Sequence, residues 1–242
     1  MLEGLYSAAA GMQAQQQRID SVANDLANVN TNGYKHERVA FRDLLYVDDA
    51  SGKVHSGVGA AATTIGRGFT QGALRETGNK LDVAIQGPGF LRVRRADGTE
   101  ALTRDGQLRI DAQGRLGTAR GELLQPAITI PAGTKEDDVS IGSDGTVTAN
   151  NRPLGKVQVV DVRSPQALLT IGDNLYRTTP ASGAATNAAG VTLTQGSVEA
   201  SNVDAGDSMT EMIDAQRGYQ LASRAIQMQD QMLQIANQVK SS

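Results

Sequence analysis

Both ends of this chain carry a seven-residue apolar repeat, and such a stripe makes a helix that needs another helix to lie on. Near the start, Leu5, Met12, Ile19 and Leu26 are spaced by seven, with Ala8, Gln15, Val22 and Val29 three positions further on. Near the end, Met212, Tyr219, Ile226 and Leu233 repeat the step, interleaved with Ala215, Ala222, Gln229 and Ala236. The terminal helix carries a second stripe of Leu221, Ala225, Met228, Met232, Ile235 and Val239. At 3.6 residues per turn the two stripes fall on nearly opposite faces. One partner helix covers only one of them, so the other takes its cover from the chain's own β region or from other subunits. A lone helix pair with one stripe buried gains little against the cost of ordering its backbone. The terminal helices are therefore expected to be frayed or disordered in the isolated subunit and to order on assembly. Copies packed head to tail would form rings, or helical tubes where the rotation does not close.

The first helix is predicted over Leu2 to about Asn30, stopping at Asn30-Thr31-Asn32-Gly33. Gly4 and Gly11 weaken it. They read either as fraying near a chain end or, with the small run Ser7 to Gly11, as a place for close approach. The last helix is predicted to start between Ser201 and Ser208 and to reach Val239. Ser208-Met209-Thr210-Glu211 has the spacing of a capping box, and Asn202 is the alternative cap.

Between the helices the pattern is β. Phe41, Leu44 and Leu45 fit a short helix or an extended segment, Ala50 to Gly59 reads as a loop, and Thr63 to Leu74 as extended chain. From Leu81 to about Asp161, the dipeptides Asp97-Gly98, Asp105-Gly106, Gln113-Gly114 and Asp144-Gly145 predict hairpin turns between short antiparallel strands of a small sandwich or barrel. Further strands are expected at Ala127 to Pro131 and Val157 to Val162. From Ser164 to Ser201 the chain is rich in Gly, Ala, Ser, Thr and Asn and reads as a return with little regular structure.

Composition removes several functions. A net charge of −3 with both signs interspersed gives no footprint for nucleic acid. The absence of cysteine excludes disulfides and thiolate metal sites. Aromatic residues make up 3%, with no Trp, which is low for an aromatic-lined ligand cleft or a glycan-cutting enzyme. The two histidines, His36 and His55, belong to no paired ligand motif. No nucleophile elbow, P-loop or paired-histidine zinc motif is present. Gly57-Val58-Gly59 lacks the third glycine of a dinucleotide loop, and the Asp-Gly turns lack the clustered carboxylates of a calcium loop. No enzyme activity, cofactor, metal or small-molecule substrate is expected. No run is long and apolar enough for a membrane span, and the first residues do not read as a secretory signal peptide. A surface adhesin on a coiled-coil base is the alternative from another class, and it would call for such a signal.

The run Leu5-Tyr6-Ser7-Ala8-Ala9-Ala10-Gly11-Met12, leading through Ala23-Asn24-Asp25-Leu26-Ala27-Asn28-Val29-Asn30-Thr31-Asn32-Gly33-Tyr34-Lys35, resembles the N-terminal motif of the flagellar basal-body rod and hook protein family. Asp25 stands where many members have Asn. Gly87-Pro88-Gly89-Phe90, Leu102-Thr103-Arg104-Asp105-Gly106 and Pro126 to Pro131 resemble its middle segments. Gly196-Ser197-Val198-Glu199-Ala200-Ser201-Asn202-Val203 and Met212 to Gln220 resemble its C-terminal ones. The resemblance covers nearly the whole chain and is strongest to the distal-rod branch. The stretch Val47 to Val58 is shorter than is typical there, which leaves a proximal-rod or hook-type paralogue open.

The resemblance implies an α+β fold. Long N- and C-terminal helices form a coiled-coil layer, with a β-rich connector and a small all-β middle domain. The expected divisions are an N-terminal helix over 1–33, an extended connector over 34–80, the β domain over 81–180, a return connector over 181–201 and the C-terminal helix over 202–242. It implies a structural subunit of the basal-body rod, a helical tube carrying motor torque to the hook. The subunit would be extracytoplasmic and exported by a type III apparatus without a cleaved signal. Its partners would be itself, other rod and hook proteins, bushing-ring proteins where an outer membrane is present, and the export apparatus. The candidate subunit-interface residues are Leu5, Met12, Ile19, Val22, Leu26, Val29, Met212, Tyr219, Leu221, Ile226, Met228, Met232, Leu233 and Ile235.

Overall fold

The structure, a computed structural model, describes residues 2–43, 46–48, 55–57 and 60–241. Helix α1 spans Leu2–Ala27 and helix α2 spans Ala205–Ser241, with short strands between them. The expected α+β arrangement of two long end helices around a β-rich middle is the one observed. The residues divide into two compact units. One comprises 1–27, 37–65 and 204–242; the other comprises 28–36 and 66–203.

In the helical unit, α1 and α2 lie side by side and run in opposite directions. Gln15 seats against Gly218, and Gln229 against Gly4, so position falls along one helix as it rises along the other. A Cβ on Gly218 or Gly4 would come within 2.9 Å of the facing glutamine. Gly4 is thus a packing notch, whereas Gly11 faces open space. Arg18 Nε donates to Glu211 Oε1 at 2.9 Å, a further tie between the two helices. Strand Glu37–Asp43, which contains Phe41, pairs with Ala60–Arg67; Leu44 and Leu45 lie outside the described residues. Within the span expected to be a loop, His55–Gly57 is a strand paired with Tyr46–Asp48. Asp25, buried on α1, accepts the Glu37 backbone N–H at 3.1 Å and so ties the strand's first residue to the helix.

In the β unit, strand Phe90–Arg94 is central. It pairs antiparallel with Glu100–Thr103, Leu123–Leu124 and Val159–Asp161. Alternate side chains point to opposite faces of a strand. Leu91 and Val93 accordingly enter a large core with Leu81, Ile85, Leu116, Ile128 and Val147. Phe90 enters a second core with Leu102, Val160, Val162 and Tyr176. Both faces of the strand are buried, which is why it reads as Phe-Leu-Arg-Val without clean polar alternation. Three of the eight aromatic residues meet here: Phe69, Phe90 and Tyr176 lie edge-on with centroids 5.2 to 5.9 Å apart.

Three of the four expected turns are hairpins, at Asp97-Gly98, Gln113-Gly114 and Asp144-Gly145. Asp105-Gly106 is not. The strands on either side of it, Glu100–Thr103 and Leu108–Ile110, pair with other partners. Gly106 serves close approach instead: its carbonyl accepts the Val83 N–H at 3.0 Å, and a Cβ there would lie 1.7 Å from the Val83 carbonyl oxygen. Two hairpins turn through a pair of Asx residues, the second with Gly172 just ahead of the pair. Asn150-Asn151 and Asp173-Asn174 take positive φ at both positions, as short Asx side chains tolerate. Ala127 to Pro131 is not a ladder strand. It makes one isolated bridge, at Thr129, yet Ile128 and Ile130 are buried in the core.

The segment from Ser164 to Ser201 is more ordered than its composition suggests. It contains strands Leu169–Thr170, Leu175–Arg177, Thr186–Asn187, Thr192–Gln195 and Ser197–Glu199. Thr192–Gln195 pairs with Val83–Gln86, and Ser197–Glu199 with Leu74–Glu76. Leu175, Tyr176, Leu193 and Val198 supply core, so small residues here mark tight pairing between buried anchors.

Candidate functional site: two helix faces and a buried ionic junction

Apart from Val29, which lies in the β unit, the candidate interface residues belong to the helical unit, and they fall into two sets. Val22 is buried, and Leu5, Met12, Ile19, Leu26, Val29, Met212 and Ile226 are half-buried. Ala215 is fully buried, while Tyr219 stays 36% exposed. The second stripe of α2 is open to solvent: Leu221 is 65% exposed, Met228 58%, Met232 59% and Ile235 60%. The side chain of Leu233 lies outside the described residues. Large apolar side chains this open along one helix face need a reason beyond chance exposure. Tyr6 on α1, Phe41 and Ile65 are further exposed apolar groups of this unit.

The start of α2 is set by Asp204. Its Oδ1 accepts the Asp207 N–H at 3.0 Å, an N-cap three residues ahead. Ser208 lies inside the helix, and its N–H bonds the Asp204 carbonyl. Asn202 has a different task in the β unit. Its Oδ1 accepts the His36 N–H at 2.9 Å, and its Nδ2 donates to the Gly68 carbonyl at 2.7 Å and Thr70 Oγ1 at 2.9 Å.

That task belongs to a junction the sequence reading did not single out. The chain leaving α1 and the chain approaching α2 meet within the β unit around Glu199. Lys35 Nζ lies 2.6 Å from Glu199 Oε1, and Arg104 Nη1 lies 3.2 Å from Oε2. The Gly72 N–H donates to Oε1 at 2.9 Å, Lys35 also donates to the Thr70 carbonyl, and Arg104 Nη2 donates to the Gly87 carbonyl. Gly33, at φ +68°, donates its N–H to the Glu199 carbonyl at 2.7 Å; a Cβ there would meet the Arg104–Asp105 peptide at 2.7 Å. The Arg67 guanidinium lies 5.0 Å from the Tyr34 ring centre and bonds the Lys35 carbonyl. Lys35 and Glu199 are fully buried and Arg104 nearly so. Burial pulls the Lys35 ammonium below its ordinary range; Glu199 opposes this by charge and hydrogen bond, and Arg104 adds to the depression.

Lys35, Arg104 and Glu199 each sit inside a motif that carries the family resemblance. Nothing in their spacing says that they meet, since 164 residues separate the lysine from the glutamate. Their arrangement fastens chain segments together and presents no reacting group. His36 packs its ring against Gly68. Among the described residues no group of His, Cys, Asp and Glu is arranged to hold a metal ion, and no helix is long and apolar enough to cross a membrane.

Comparison with known proteins defines the class. Residues 5–35 match the family described as flagella basal body rod protein, residues 84–149 the flagellar hook protein FlgE/F/G D1 domain, and residues 194–239 the flagellar basal body rod FlgEFG protein C-terminal. The chain is 37% identical to the flagellar basal-body rod protein FlgG of Borreliella burgdorferi, over 99% of each chain. It is 38% identical to FlgG of Caulobacter vibrioides, over 99% of this chain and all of that one. It is 38% identical to FlgG of Bacillus subtilis, over 97% of each. The chain belongs to the family of the flagellar basal-body rod protein FlgG, the distal-rod protein. It is a structural component of the extracytoplasmic basal body, in a family that is not enzymatic.

Proposed function

We propose that the open stripe of α2 is the surface through which the rod is built, by packing against helices of neighbouring copies. The carrying observation is the row of Leu221, Met228, Met232 and Ile235, all more than half exposed on a helix whose other face is already taken by α1. Burying each contributes roughly 1.5–3 kcal/mol, and a copy of the same chain offers the same apolar row. The remaining candidates, Leu5, Met12, Ile19, Val22, Leu26, Val29, Met212, Tyr219, Ile226 and Leu233, complete the layer as helices close around one another. On this reading the divisions are a helical inner layer of 1–33 and 202–242, connectors at 34–80 and 181–201, and a β domain of 81–180. The assembled tube carries motor torque to the hook. Its further partners are other rod and hook proteins, bushing-ring proteins where an outer membrane is present, and the type III export apparatus.

The test places a charge in the row. Leu221→Asp is expected to leave the fold of the β unit unchanged and to abolish concentration-dependent association in sedimentation, along with rod formation in cells. A variant that still assembles as the parent does would refute the stripe as the interface.

A further inference from the structure

The six methionines stand at positions 1, 12, 209, 212, 228 and 232, and none falls between 28 and 203. Met228 and Met232 lie one helical turn apart at the centre of the open stripe, flanked by Leu221 and Ile235. Met212 is half-buried on α2. A thioether exposed to solvent is open to two-electron oxidation, and the product is a polar, chiral sulfoxide. Hydrogen-bond donors lie to one margin of the row, at Arg224 and Gln231, while its centre line of Leu221, Ala225, Met228, Met232 and Ile235 is apolar. A sulfoxide oxygen carried into a packed seam along that line would lose its water and meet carbon.

We propose that Met228 and Met232 are modification sites that make assembly sensitive to oxidation. Each sulfur takes one oxygen from one molecule of hydrogen peroxide: the peroxide O–O bond breaks, an S–O bond forms, the thioether gives up two electrons, and water leaves. The free subunit is the vulnerable form, because assembly covers both sulfurs. Reduction of the sulfoxide by a methionine sulfoxide reductase restores the apolar row. The proposal rests on the stripe being the assembly interface and adds a chemical control to it.

The experiment treats the full-length chain with hydrogen peroxide. Oxygen uptake is mapped by peptide mass and association by sedimentation. Met228 and Met232 should take up oxygen before Met212, and the doubly oxidised chain should associate about tenfold more weakly, the scale set by loss of an apolar contact. Reductase treatment should return association to its starting value, a readout that needs no substitution. The pair Met228→Leu and Met232→Leu should assemble and keep assembling after peroxide. Undiminished assembly by a chain carrying both sulfoxides overturns the switch. Leu221→Asp separates the two readings. If it assembles normally, the interface and the switch both fall; if it fails to assemble while the oxidised chain succeeds, only the switch falls.

Discussion

Glu199 carries two cations on one carboxylate, each oxygen committed to a different one, with the Gly72 N–H as a third donor. Replacing it by Gln leaves Lys35 and Arg104 buried without a counter-charge. Breaking a buried pair from one side costs about 3–5 kcal/mol, so Glu199→Gln is expected to lower urea-unfolding stability by that order. Asp105 supplies the acid-side prediction. Burial holds its carboxyl above the ordinary carboxylate range, with Asp82 and Glu122 adding to the rise; the Gln107 N–H and Arg120 oppose it. Its folded pKa exceeds its unfolded one. The stability it contributes is therefore complete below the unfolded pKa and is lost as pH rises through the folded one. Asp105→Asn keeps an acceptor for Gln107 and removes the titration. It should be more stable than the parent near about pH 7, with the advantage shrinking as pH falls toward about 4. Unfolding curves at both pH values check this, and an advantage that grows on acidification would contradict it.

At the scale of the element, α2 shows what a sequence reveals and what it withholds. Both stripes were legible, because periodicity fixes which side chains share a face. Which stripe α1 takes was not, because that depends on the shape match of Gln15 on Gly218 and Gln229 on Gly4. The cap was misplaced by a few residues. Asn202 and Ser208 both have the right chemistry, but Asn202 is held by His36, Gly68 and Thr70, which leaves the helix start to Asp204. Asp204→Ala should cost about 1 kcal/mol of stability, whereas Ser208→Ala should cost little; thermal unfolding of the two variants compares them. The Asp-Gly rule likewise found two hairpins and misread the third site, Asp105-Gly106. Gly106 answers to the backbone of Val83, a contact distant in sequence. The ionic junction was hidden for the same reason: its three residues were all on view in recognised motifs, while their meeting is a product of the fold.

At the scale of the whole molecule, apolar burial is unevenly shared. The β unit holds both hydrophobic clusters, from Leu81 to Leu193 and around Phe90 and Tyr176. In the helical unit, the fully buried apolar residues among those described are Ala14, Val22 and Ala215, two of them alanines. Ordering a residue costs roughly 1–2 kcal/mol of backbone entropy, and alanine burial returns little against that. The helical unit is thus the part most in need of neighbours. The Lys35–Glu199–Arg104 junction, placed in the β unit, marks where the firmly held chain begins. Limited proteolysis of the isolated subunit should cut first within residues 2–27 and 205–241 and leave a fragment containing 66–203. The same sites should be protected in assembled rods, since local opening governs cleavage when reclosing is fast. Helices that resist protease in the free chain as long as the β unit does would mean that the pair is self-sufficient, and assembly would then add contacts to an already ordered layer instead of creating its order.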